Sequence, residues 1–123
     1  MEFDKLSNVV IGAAIEVHKI LGPGLLEASY QKCLQQELKL NNIPAVAEQP
    51  IPLEYKGIAL EAGFRIDLLV DNKLIVEIKS VADFHPIHEA QILTYMKLAK
   101  IQTAILLNFN VKLLKHGIKR FVC

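Results

Sequence analysis

At 123 residues the chain is the size of one domain and short for two. Its 52% hydrophobic content excludes a disordered chain, and no apolar run approaches the ~20 residues that a membrane-spanning helix needs. Fourteen Lys and Arg against thirteen Asp and Glu leave a net charge of +1, which argues against coating DNA by bulk charge but leaves room for a local basic groove.

The start, Met1-Glu2-Phe3-Asp4, is acidic and lacks the basic region of a secretory signal. The two cysteines, Cys33 and Cys123, form neither a disulfide framework nor a closely spaced metal pair. These features predict a reduced, cytoplasmic protein. Residues 4–21 carry Leu6, Val9, Val10, Ala13, Ala14, Val17, Ile20 and Leu21 at helical spacing, one wide apolar face. Gly22-Pro23-Gly24 stops that helix. A second is predicted over residues 25–40, with Leu26, Tyr30, Leu34 and Leu38 stacked every fourth residue, and Asn41 to Pro44 ends it. The period then changes. Residues 51–56 and 58–70 read as strands broken by Gly57 and Gly63. Asp71-Asn72 marks a turn, and residues 74–79 read as a nearly continuous apolar strand carrying two charges. After a loop over 81–86 the helical period returns over 87–100, with Ile87, Ala90, Thr94 and Leu98 on one face and Leu93 beside it. Strands over 103–109 and 118–122 complete the order ααβββαββ. That order predicts one domain over residues 1–123, of class α/β or α+β, with a mixed sheet flanked by helices.

The strand Ile75-Val76-Glu77-Ile78-Lys79 holds the chemistry. Glu77 and Lys79, two apart, share a face, and their neighbours are apolar as in a central strand. A buried charge is costly unless it is paired or ligates a metal. Asp67 is a second acid in an apolar strand, just before the turn. Register decides whether the two acids meet. A two-residue hairpin loop at Asp71-Asn72 sets Asp67 opposite Val76, whereas a three-residue loop or a bulge sets it opposite Glu77. A functional pair therefore demands the odd loop. Two adjacent carboxylates repel, and a hard cation such as Mg²⁺ relieves that repulsion while keeping waters that can become nucleophiles. A neighbouring lysine can stabilise charge developing on a phosphate. The set suits phosphodiester hydrolysis.

Asp67 followed by Glu77-Ile78-Lys79 resembles the signature of the PD-(D/E)XK nuclease superfamily. Gly24-Leu25-Leu26-Glu27-Ala28-Ser29-Tyr30 resembles the motif that names its GxxExxY offshoot. Glu16-Val17-His18 and Leu21-Gly22-Pro23-Gly24 upstream, Gln91 with Tyr95, and Asn108-Phe109 downstream extend the likeness over nearly the whole chain. The resemblance implies a restriction-endonuclease-like fold and a Mg²⁺- or Mn²⁺-dependent nuclease acting on DNA or RNA. It implies that Asp67, Glu77 and Glu27 ligate the metal, that the Ile78 carbonyl adds a ligand, and that Lys79 is the catalytic lysine. Tyr30, Gln91 and Tyr95 would support the site.

Plainer readings stand beside these. Glu27 suits the first turn of a helix, where the dipole favours an acid. Tyr30 belongs to an apolar stripe and so to the core. His85 and His88 lack the further ligands of a zinc site. His18 suits a helix C-terminus, and Cys33 a small core position. Lys112, Lys115, His116, Lys119 and Arg120 form either a phosphate-contacting cluster or a solvated sheet edge. For the whole chain, the alternative to a nuclease is a binding module for nucleic acid or protein that keeps the fold without cutting. The apolar excess allows a homodimer or a partner protein.

Overall fold

The computed structural model describes residues 4–60 and 64–123. Helix α1, Lys5–Leu21, starts where the Asp4 carboxylate accepts the Ser7 N–H at 2.8 Å. Arg120 meets the same carboxylate at 2.6 Å, tying the start of α1 to the far edge of the sheet. The helix ends at Gly22, whose φ of 69° suits a residue without a Cβ and whose N–H donates to the His18 carbonyl at 2.8 Å. Helix α2, Glu27–Leu40, buries Tyr30, Leu34 and Leu38. Leu26, placed in that stripe by its spacing, lies just before the first helical turn and is exposed instead.

Five strands form the main sheet, in the spatial order β1 (Ala45–Pro50), β4 (Arg65–Val70), β5 (Leu74–Lys79), β6 (Thr103–Asn108) and β7 (Ile118–Val122). Neighbours run antiparallel except β5 and β6, which helix α3, Pro86–Ala99, joins as a parallel crossover. The mixed sheet carries α1 and α2 over one face and α3 over the other, a restriction-endonuclease-like arrangement.

Three expectations change. Strand β1 falls where Val46 is the one β-branched residue among Ala, Glu, Gln and Pro; it satisfies the second edge of β4. The run over 58–70 is not one strand. Its first part, β3 (Ile58–Leu60), pairs with β2 (Leu53–Tyr55) in a separate two-stranded sheet around Gly57, whereas Gly63 lies outside the described residues. Helix α3 buries Ile92, Tyr95 and Met96, while Ile87, Ala90 and Thr94 stay exposed. Its apolar residues lie on all sides, so periodicity alone chose the wrong face.

The core has two halves. Val10, Val17, Tyr30, Leu34, Leu68, Val76 and Phe109 belong to the half under α1 and α2. Ile66, Ile75, Ile92, Met96 and Leu106 belong to the half under α3. Beyond β6, a 3₁₀ turn (Leu114–Gly117) packs so closely that a Cβ at Gly117 would collide with the Asn108 carbonyl oxygen. His18 does not cap its own helix. Its Nε2 meets the Val111 carbonyl oxygen at 2.8 Å and its ring lies 6.2 Å from Phe109, so it anchors the segment after β6. Lys119 pairs with Glu89 at 2.9 Å and Arg120 with Asp4, so two members of the C-terminal basic cluster serve as ties. Cys33 packs half-buried against the core. No described helix is long and apolar enough to cross a membrane.

Candidate active site

The β4–β5 hairpin has the odd loop. Leu68 lies opposite Val76, Leu69 opposite Ile75 and Val70 opposite Leu74, leaving Asp71, Asn72 and Lys73 to turn the chain. Asp71 and Asn72 both take left-handed angles, φ 50° and 52°, which short polar side chains tolerate best. The same register sets Asp67 opposite Glu77. There the ladder gives way to side chains. The Asp67 N–H donates to Glu77 Oε1 at 3.1 Å, and the Ile78 N–H donates to Asp67 Oδ2 at 2.8 Å. Each acid thus locks the strand of the other.

This crossing is also where β4 changes sides. Leu68 and Val70 point into the half-core under α1 and α2, yet Ile66 joins the half under α3. Strict alternation would send all three the same way. Opposite Asp67 on β1, between the pairs Ala47–Leu68 and Gln49–Ile66, stands Glu48 with φ 55°. A left-handed non-glycine residue inside a strand is strained, and such strain concentrates at functional sites. Glu48 Oε1 accepts from Gln31 Nε2 on α2 at 2.9 Å. No sequence signal set Glu48 apart; only the register reveals it.

Burial and mutual repulsion dominate the electrostatics. Glu77 is 4% exposed, and desolvation followed by the Asp67 charge pushes its pKa up to about 8. Asp67 is pushed up too, first by desolvation and against the pull of the Ile78 N–H, with Glu48 adding repulsion. The two carboxyl groups contact each other directly. Two carboxylates in such contact cannot both stay ionised without a proton or a cation between them. The donors are all oxygen, which suits a hard cation such as Mg²⁺ or Mn²⁺.

The remaining residues of the expected set lie around this pair. Lys79 ends β5, and its charge pulls both acids back down. The Phe109 N–H donates to the Lys79 carbonyl at 2.9 Å. Buried Asn108, next to Phe109, clamps the chain just beyond Lys79: Nδ2 donates to the Val81 carbonyl at 2.8 Å and Oδ1 accepts the Val81 N–H at 3.1 Å. Glu27 opens α2, and its Oε1 accepts the Ser80 N–H at 3.3 Å. Among the described residues no three His, Cys, Asp or Glu side chains converge as a metal-ligating group. Tyr30 spends its hydroxyl elsewhere, donating to the Gly22 carbonyl at 2.5 Å and accepting the Leu25 N–H at 3.2 Å, with its ring stacked on Phe109. The Leu25 carbonyl in turn accepts Ser80 Oγ at 2.7 Å, so Tyr30 and Ser80 together fix the loop before Glu27. Nothing in the sequence marked Ser80.

On the other side, Tyr95 is nearly buried, and desolvation with the charges of Glu77 and Asp67 raises its pKa. Gln91 lies one helical turn before it, half-buried. His85 and His88 cap α3 reciprocally: His85 Nδ1 accepts the Ile87 N–H at 3.1 Å, and His88 Nδ1 accepts the His85 N–H at 3.0 Å. Desolvation and then the Lys79 and His85 charges push the His88 pKa down, while Glu27 pulls it up. The start of α3 therefore lies within electrostatic reach of the site.

The sequence model of the PD-(D/E)XK nuclease superfamily matches residues 4–121. No curated protein and no solved structure matches the chain. With Asp67, Glu77 and Lys79 standing together at the centre of the sheet inside that match, the chain belongs to the PD-(D/E)XK nuclease superfamily.

Proposed function

We propose that the chain is a Mg²⁺-dependent phosphodiesterase acting on nucleic acid. One observation carries the reading: two acids in contact, the half-buried Asp67 and the buried Glu77, each hydrogen-bonded to the backbone of the opposite strand. That arrangement holds repulsive charge rigidly in place and favours an oxygen-binding cation. Asp67 and Glu77 would hold it, with the Ile78 carbonyl beside them and Glu27 reaching in from α2. When bound, Mg²⁺ supplies charge for the scissile phosphate and a water of lowered pKa. Lys79 would orient the attacking water or neutralise charge on the phosphate in the transition state. Tyr95 and Gln91 would line the far wall, and Asn108 and Ser80 would keep Lys79 and Glu27 in place through their bonds to Val81 and Glu27.

Purified protein incubated with labelled single- and double-stranded DNA and RNA, in Mg²⁺ or Mn²⁺, tests this. Cleavage should disappear, by two orders of magnitude or more, in Lys79→Ala and Asp67→Asn. Cleavage that survives both substitutions comes from a contaminant and ends the assignment. Metal-dependent binding without cleavage by any preparation assigns the chain instead as a binding module on the nuclease fold.

A further inference from the structure

A near-neutral nuclease must hold a polyanion somewhere, and the acids at its centre repel one. A groove of about 530 Å³ runs between α2 and the open edge of β1. Lys32, Gln35, Gln36 and Lys39 line its helical side, with Ala45 and Val46 on the strand side. No acid lines it. Lys32, Gln36 and Lys39 are exposed, and neither lysine takes part in an ion pair among the described residues.

The helix and strand that flank the groove also lead toward the proposed centre. Glu27, Gln31, Gln35 and Lys39 repeat every fourth residue and so form one stripe along α2. Two rungs join that stripe to β1: Gln35 Nε2 donates to the Ala45 carbonyl at 3.0 Å, and Gln31 Nε2 donates to Glu48 Oε1 at 2.9 Å. Helix and strand therefore run side by side from the basic end at Lys39 to the acidic end, where Glu48 faces Asp67 and Glu27 meets Ser80. Twelve residues of helix span about 18 Å, room for about five nucleotides at the ~3.4 Å rise of a stacked strand. Charge runs from cationic at the entrance to anionic at the centre. That order suits a phosphate backbone gripped first and brought to a cation last.

We infer that this groove seats the backbone of a single nucleic-acid strand leading into the Asp67–Glu77 centre, with Lys32 and Lys39 contacting its phosphates. The inference rests on the phosphodiesterase reading above. An extended peptide adding to the edge of β1 would use the strand alone and leave the two lysines without a role.

Fluorescence anisotropy of a labelled single-stranded decamer in Ca²⁺ tests the groove without requiring cleavage. Lys32→Ala with Lys39→Ala should weaken binding about tenfold near 0.1 M salt. It should also flatten the slope of log affinity against log salt by about 1.4, at ~0.7 per lost single-strand phosphate contact. Lys5→Ala with Lys97→Ala removes the same charge from exposed positions elsewhere and should leave the slope unchanged. An unchanged slope in the groove variant, or an equal loss in the control, overturns the inference. So does a dimer seen by light scattering and abolished by Val46→Lys, if oligonucleotide affinity is unaffected. Cleavage lost in Asp67→Asn while the groove variant binds normally would keep the nuclease and remove the groove. Lysine-dependent binding without cleavage in any metal would do the reverse.

Discussion

Glu77→Gln keeps the size and most of the hydrogen-bonding capacity of the side chain while removing its ability to ionise. In the folded chain the Glu77 carboxyl titrates near pH 8 instead of the usual 4.5. Between those values the folded state binds more protons than the unfolded state, so stability falls as pH climbs through that window. At about 1.4 kcal/mol per pH unit the full displacement sets a ceiling of roughly 5 kcal/mol. Little solvent screening reduces it, because Glu77 is 4% exposed. Asp67 is displaced in the same direction, so the fall belongs to the pair. Urea unfolding followed by circular dichroism, in EDTA from pH 5 to 9, reads it directly. Wild type should lose several kcal/mol across the window and Glu77→Gln should stay nearly flat, the two meeting at the acid end. Saturating Mg²⁺ should restore wild type at pH 8, since a ligand that binds only the folded state adds stability by mass action. Parallel curves for the two proteins between pH 5 and 8 would refute the claim that two contacting acids dominate this site.

Two further outcomes probe other parts of the molecule. Asp4→Ala removes the cap of α1 and the partner of Arg120, and should cost about 1–2 kcal/mol in urea unfolding at pH 7. The Asp4 carboxyl is held down at about 2, chiefly by the Ser7 N–H, so its contribution is present above about pH 4 and disappears as pH falls toward 2. Glu48→Gly and Glu48→Ala both lose the Gln31 hydrogen bond, but only alanine keeps a Cβ at a φ of 55°. Glycine should therefore be the more stable of the two by about 1 kcal/mol in thermal or urea unfolding, and equal stabilities would remove the strain at this position.

The hairpin at the centre was legible because chemistry and register constrain each other. If Asp67 and Glu77 are to meet, the hairpin needs a three-residue loop or a bulge, and Asp71 to Lys73 supply the loop. The helices α1 and α2 were legible from Val10, Val17, Leu34 and Leu38. Strand β1 was not, since Ala45-Val46-Ala47-Glu48-Gln49-Pro50 has little β propensity and is held by the demands of β4 rather than by its own. Helix α3 misled because Ile87 and Leu93, exposed, look no different in sequence from Ile92 and Met96, buried. Glu48, Gln31 and Ser80 escaped for a related reason: polar residues acquire a role at the site only through neighbours distant in sequence.

The change of side at Asp67 also separates two parts of the chain mechanically. The alignment of the two central acids is set by the loop at 71–73 and by the pairs Leu68–Val76 to Val70–Leu74, all on one side of the crossing. The β2–β3 hairpin, Leu53–Tyr55 with Ile58–Leu60, lies wholly on the other. Insertions and deletions there leave the spacing of Asp67 and Glu77 untouched, because nothing in that segment takes part in fixing it. The crossing separates the arm that aligns the two acids from one whose length does not bear on them, so a longer or shorter outer hairpin should leave the geometry of the reactive centre unchanged.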